Sequence, residues 1–127
     1  MKSIKIFLIA VLAGLTITAC GSEEAADYQR ISMEEAVELM ETEENYIILD
    51  VRTAEEYSDG HIPGAVNVPN ETIGSDEIPE LPDKEQMILV YCRSGNRSRQ
   101  ASEKLAEQGY TNVLEFGGIN DWKGELE

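Results

Sequence analysis

Cys92 ends the apolar run Met87-Ile88-Leu89-Val90-Tyr91 and opens the loop Cys92-Arg93-Ser94-Gly95-Asn96-Arg97-Ser98, which leads into a helical pattern. An ordinary thiol titrates near pH 8.5, so only a few per cent is thiolate at about neutral pH. Two features of this stretch should lower that value. Arg93, Arg97 and Arg99 follow Cys92 closely, and no acid intervenes before Gln100. The helix that follows also turns its positive end toward the loop, and Gly95 can take a positive φ to close a nest of N–H groups. Such a pocket favours a negatively charged nucleophile together with a small anionic substrate. A cysteine that merely packs at a strand end would leave the arginines, Gly95 and the missing acids unexplained.

The chain has one other cysteine, Cys20, whose surroundings point to a different task. Lys2 and Lys5 precede the apolar run from Ile6 to Ile17, and the segment ends Ile17-Thr18-Ala19-Cys20-Gly21. The run is shorter than the roughly 20 residues of a membrane span but suits a signal-peptide core. An aliphatic residue, small residues and a cysteine resemble the lipobox of bacterial lipoproteins. That resemblance implies cleavage before Cys20 and lipidation of Cys20, where an ordinary secretory signal would leave the cysteine incidental. Several acyl chains would give stable anchoring. The organisation expected is therefore a signal peptide over 1–19, a lipidated tether over 20–27 and one domain over 28–127.

The leader holds two lysines and no acid, so the remainder carries eight cations against 25 acids, a formal charge of −17. A surface this acidic repels nucleic acid and anionic headgroups. With Cys20 lipidated, Cys92 is the only free thiol, so an internal disulfide and a dithiol mechanism are excluded. His61 is the single histidine, which leaves no ligand set for a structural metal. No cofactor is implied, and the oligomeric state is not specified.

The elements that must position Cys92 alternate between strand and helix signals. Ser32-Met33-Glu34-Glu35 is a capping box for a first helix, with Ala36, Val37, Leu39 and Met40 on its apolar face. Tyr46–Val51 reads as a buried strand, and Thr53-Ala54-Glu55-Glu56-Tyr57 opens a short capped helix. The turn Gly60-His61-Ile62-Pro63-Gly64 leads to a short strand over Ala65–Val68. Glu71–Asp83 is a loop with at most one helical turn, and Met87–Tyr91 is the next strand. Ser98–Gln108 is an amphipathic helix with Ala101, Leu105 and Ala106 inward, stopped by Gly109. Asn112–Phe116 is the last strand, and Gly117-Gly118 leads into a short helix holding Trp122. Apolar strands separated by helices argue for an α/β fold with a mostly parallel sheet covered on both faces. Asp50 and Cys92 then lie on one edge, at strand carboxyl ends, where such sheets bind ligands.

The loop Cys92–Ser98 resembles the active-site loop of the rhodanese (sulfurtransferase) family. Asp50-Val51-Arg52, Glu55, Tyr57 and Gly60-His61-Ile62-Pro63-Gly64-Ala65-Val66-Asn67 resemble its upstream signature, and Gly117-Gly118 followed by Trp122 resembles its ending. The resemblance implies a doubly wound, mainly parallel five-stranded sheet with helices on both faces. It implies that Cys92 takes a sulfane sulfur from a donor such as thiosulfate, holds it as a persulfide and passes it to a thiol or cyanide. Related dual-specificity phosphatases have five residues between the cysteine and arginine, whereas Cys92 and Arg97 are separated by four. The shorter loop suits a sulfur atom better than a tetrahedral phosphate.

Within that frame Arg93, Ser94, Gly95, Asn96, Arg97 and Ser98 line the substrate loop. Arg97 is expected to orient an anionic donor, and Arg99 to be electrostatic background. Asp50 and Arg52 are expected to brace the rim as an ion pair. His61 reads as structural, Glu55 and Glu56 as solvated helix faces, and Trp122 as packing. Two functions follow: a lipid-anchored sulfurtransferase on the extracytoplasmic side of the cell envelope, or a carrier, sensor or docking module without turnover.

Overall fold

The computed structural model describes residues 27–127, so the readings placed on the leader and on Cys20 lie outside the described residues. The strands are β1 (Gln29–Arg30), β2 (Tyr46–Asp50), β3 (Val66–Asn67), β4 (Met87–Cys92) and β5 (Val113–Gly118). The α-helices are α1 (Met33–Thr42), α2 (Ala54–Ser58) and α3 (Asn96–Glu107), and single 3-10 turns occupy Asn70–Thr72 and Ile119–Asp121. The sheet order is β1-β5-β4-β2-β3, with every pairing parallel. This is the doubly wound α/β architecture, with β4 at the centre.

Side chains alternate across a strand, and here the alternation builds two cores. Leu49, Val51, Ile88, Val90, Cys92 and Val113 face Ala101 and Leu105 of α3. Ile48, Leu89, Tyr91, Leu114 and Phe116 face Ala36 of α1, and Tyr57 of α2 packs against them. Asp50 and Cys92 therefore share an edge of the sheet but point to opposite faces. Both capping boxes form: Ser32 and Glu35 bond each other's backbone N–H groups at the start of α1, and Thr53 and Glu56 do so at the start of α2.

Several boundaries differ from the sequence reading. Strand β1 has no sequence signal because two residues carry no period; its parallel pairing to Leu114 and Glu115 creates it. Helix α3 starts at Asn96 instead of Ser98, since Gly95 ends the turn with a φ of 112°. Ala106 is half-buried where an inward position is expected. Strand β5 runs on to Gly118, because Cys92 pairs with Gly118 past an irregularity between Val90 and Cys92. The last helix is one 3-10 turn, and Trp122 follows it, half-buried against the α1 face. The stretch after Thr72 has no regular structure, yet Ile73, Ile78 and Leu81 bury themselves in the α3-side core.

Gly118 fixes how closely β5 approaches the loop. A Cβ there would lie 2.0 Å from the Arg93 carbonyl oxygen and 2.6 Å from the Ser94 nitrogen. The amide of Asn120 meanwhile donates to the same Arg93 carbonyl at 3.1 Å. Gly118→Ala is expected to push the loop off β5 and to lower unfolding free energy by about 1–3 kcal/mol. Urea denaturation followed by fluorescence of Trp122 measures this.

Candidate active site

Strand β4 delivers Cys92 to the carboxyl edge, and the chain turns immediately through Arg93, Ser94 and Gly95 into α3. The cysteine is 1% exposed. Its sulfur accepts the Gly95 N–H at 3.0 Å and lies 3.5 Å from Ser98 Oγ. Helix α3 has no side-chain cap on Gly95, so its first N–H groups lack the partner that an Asp or Ser would supply. The sulfur occupies that role. Burial pushes the thiol up, but hydrogen bonds from the Ser98 hydroxyl and amide and from the Gly95 and Ser94 amides outweigh it, and the thiol sits below its ordinary value.

The cations behave differently from the sequence expectation. Arg97 lays its guanidinium on Glu56, with Nη1 at 2.7 Å from Oε1 and Nη2 at 3.1 Å from Oε2. Arg93 reaches the same carboxylate, with Nη2 at 3.1 Å from Oε2. Glu56 also accepts the Thr53 N–H at 3.0 Å. It is thus no solvated helix face, as its place in a capping box suggests; Glu55 remains exposed. Both arginines are paired with Glu56 of α2, and the thiol is lowered chiefly by N–H and O–H donors. Among the described residues Arg99 hydrogen-bonds only to Asn96 Oδ1, at 3.3 Å. Asn96 is exposed at the first turn of α3.

The ion pair expected between Asp50 and Arg52 is present and buried, with Nη2 at 2.6 Å from Oδ2. Arg52 also donates to the Gly60 carbonyl at 2.7 Å. The Tyr91 hydroxyl donates to Asp50 Oδ2 at 2.7 Å and accepts the Ile62 N–H at 3.1 Å. Burial holds the Tyr91 phenol well above its ordinary value, so it stays a donor. The pair therefore braces β4 from the face opposite the sulfur, through the residue next to Cys92. His61 stacks on Tyr57 with ring centroids 3.7 Å apart, and its Nδ1 lies 2.9 Å from the Tyr57 carbonyl. That is the structural role its turn suggests.

Three participants have no functional signal in the sequence. Glu56 is visible there as a cap, but its second task depends on α2 standing beside the loop. Tyr91 looks like one more apolar strand residue. Glu115 is buried in β5, where it accepts from Ser98 Oγ at 2.6 Å and from the Gly117 N–H at 2.9 Å.

The sequence profile of the Rhodanese-like domain matches residues 32–125. The chain belongs to the rhodanese-like family. It is 41% identical over 73 residues to "Thiosulfate sulfurtransferase PspE" of Escherichia coli, covering 58% of this chain and 70% of that protein. It is 36% identical over 97 residues to "Thiosulfate sulfurtransferase GlpE" of Actinobacillus succinogenes, covering 76% and 85% respectively. A solved structure described as "rhodanese with anions from E. coli" superimposes with a TM-score of 0.59 at 36% identity, covering 65% of this chain and 96% of the other. Other relatives are longer: the chain spans 27% of the Candida albicans protein named "Adenylyltransferase and sulfurtransferase UBA4".

Arg97 above all, with Thr53 and Arg93, holds the Glu56 carboxyl well below the usual carboxylate range against the opposing effect of burial. A group depressed on folding adds stability above its unfolded value, and that stability is lost as pH falls below about 4.3. Glu56→Gln is expected to lower stability at neutral pH and to flatten the acid limb of a stability–pH curve. Urea midpoints collected between pH 3 and pH 7 (roughly one unit or more to either side of the carboxylate range) test this.

Proposed function

We propose that this protein is a sulfurtransferase that carries a sulfane sulfur on Cys92 between a small anionic donor and a thiol or cyanide acceptor. The observation that carries the reading is the cradle of the sulfur: a buried cysteine at a strand end, held by loop N–H groups and lowered from its ordinary value. The relatives named as thiosulfate sulfurtransferases support thiosulfate as a donor. The four-residue gap from Cys92 to Arg97 supports sulfur over phosphate chemistry.

With thiosulfate, the Cys92 thiolate attacks the outer sulfur. The donor's S–S bond breaks, sulfite leaves with the bond pair, and Cys92–S–S⁻ forms, so total charge is conserved. An acceptor such as cyanide then attacks the terminal sulfur, thiocyanate departs and the Cys92 thiolate returns. This is covalent catalysis in two half-reactions. The N–H groups of Ser94, Gly95 and Ser98 that lower the thiol would also meet the persulfide anion. A donor anion at the mouth competes with Glu56 for Arg93, which is the more exposed of the two arginines. The absence of a neighbouring thiol in the sequence fits a persulfide that must wait for an external acceptor.

The lipobox-like stretch ending at Cys20 supports anchoring of the domain by acyl chains on the extracytoplasmic side of the cell envelope. Metabolic labelling with a fatty acid, compared between the wild-type chain and Cys20→Ala, reads that anchoring directly; unchanged labelling would remove it.

Thiosulfate is expected to add about 32 Da to the Cys92 peptide, the mass of one sulfur, with stoichiometric release of sulfite. Steady turnover to thiocyanate on adding cyanide supports an enzyme, whereas a single loading without turnover supports a carrier. Cys92→Ser should lose both adduct and turnover; full activity in that variant would overturn the mechanism. Glu56→Gln frees both arginines and is expected to lower the KM for thiosulfate severalfold in the same assay.

A further inference from the structure

The Cys92 proton has to leave before sulfur chemistry begins, and the surroundings restrict where it goes. The sulfur is almost sealed from solvent. The Gly95 amide beside it is a donor and cannot take a proton. Ser98 Oγ, at 3.5 Å, is an oxygen that can. Ser98 is itself fully buried, and its Oγ lies 2.6 Å from Glu115 Oε2, shorter than its 3.0 Å and 3.3 Å distances to the Gly95 and Gly117 carbonyls. Ser98 has one hydroxyl proton, and the thiolate and Glu115 compete for it.

We propose that Cys92, Ser98 and Glu115 form a proton relay in which the thiol proton moves to Ser98 Oγ as the Ser98 hydroxyl proton moves to Glu115 Oε2. The S–H bond breaks as a new Ser98 O–H forms. The old Ser98 O–H breaks as Glu115 O–H forms. No group is oxidised or reduced, and the three side chains carry one negative charge before and after. Ser98 ends with its hydroxyl pointing at the thiolate, the hydrogen bond that helps hold the sulfur as an anion. Glu115 touches no substrate; it is a positioning residue that acts through Ser98. The inference rests on the reading of Cys92 as the nucleophile, but not on any particular sulfur donor.

The sheet order separates this path from the anion mouth. Glu56 follows β2 on one side of β4, and Glu115 belongs to β5 on the other. Glu115 borders an open cavity of about 300 Å³ lined also by Arg30, Ser32, Ser94, Arg99 and Asp121. The charged residues that line the cavity with it are Arg30, Arg99 and Asp121. Arg30 Nε of β1 stands 3.4 Å from Oε1. Arg99 of α3 approaches Gly95 from the side where Glu115 Oε2 also approaches, and Asp121 comes from the last 3-10 turn. Val90 of β4, opposite Glu115 in the register, contributes no charge. Arg30 is exposed where Glu115 is buried, so this ion pair lies at the edge of the cavity.

The test is the pH profile of Cys92 alkylation by iodoacetamide, a neutral reagent, on the full chain with the Cys92 peptide read by mass spectrometry. A shared proton gives two coupled steps, so the wild-type rate is expected to rise, hold within about twofold across a shoulder, and rise again. Glu115→Gln is expected to lose the shoulder and to fall about tenfold per pH unit below a single midpoint, as for an isolated thiol. A single step in the wild type, or a shoulder that survives in Glu115→Gln, would overturn the relay. Should that variant fail to fold, the wild type decides alone through the ¹³C signal of the Glu115 carboxyl. Alkylation of Cys92 leaves the Ser98 hydroxyl to Glu115 alone and is expected to move that signal. An unmoved signal overturns the proposal. Neither readout uses a sulfur donor, so sulfur transfer can stand while the relay fails.

Discussion

The start of α3 needs a hydrogen-bond acceptor, and the Cys92 sulfur is the atom that supplies it. A helix leaves its first N–H groups without internal partners, and a buried helix end without partners costs free energy for each. At most N-termini an Asp, Ser or Thr side chain meets them. Gly95 has no side chain, and its positive φ turns the chain so that the sulfur takes that place. Folding and reactivity are thereby joined: the geometry that completes the helix end is the geometry that stabilises an anion on sulfur. Burial works against that anion, and the N–H and O–H donors outweigh it.

The rest of the molecule holds this contact in place. Strand β4 is the centre of the sheet: Tyr91 pairs with Asp50 of β2, and Cys92 pairs with Gly118 of β5. On the β2 side, the Asp50–Arg52 pair holds the hydroxyl of Tyr91, the residue before Cys92. On the β5 side, Gly118 lets the backbone approach where a Cβ would collide with the loop. Glu56 ties two loop arginines to α2. Both cations are therefore already answered by a carboxylate.

Much of this is legible in the sequence, for identifiable reasons. Apolar runs mark β2 and β4, because strands buried on both faces carry no polar alternation. The two capping boxes and Gly95 encode local geometry within a few residues, and local geometry can be read locally. The family signature extends that reading to the five-stranded sheet. What stays hidden depends on long-range register. Strand β1 exists only as a partner of β5. Glu115 reaches Ser98 because β5 lies beside β4 with a particular stagger, including the irregularity near Cys92. The second role of Glu56 needs α2 and the loop side by side. In so acidic a chain many carboxylates could answer the loop arginines, and no spacing rule says which one arrives.

If the amides at the start of α3 hold the Cys92 sulfur as an anion, they must respond when the thiol ionises. Amide NMR of Gly95 and Ser98 across a pH titration reads that response at the two groups concerned. Both signals are predicted to follow the same pH course as the thiol ionises, with the first midpoint below the ordinary cysteine value of about 8.5. A first midpoint at or above that value, or amides that ignore the ionisation of Cys92, would contradict it.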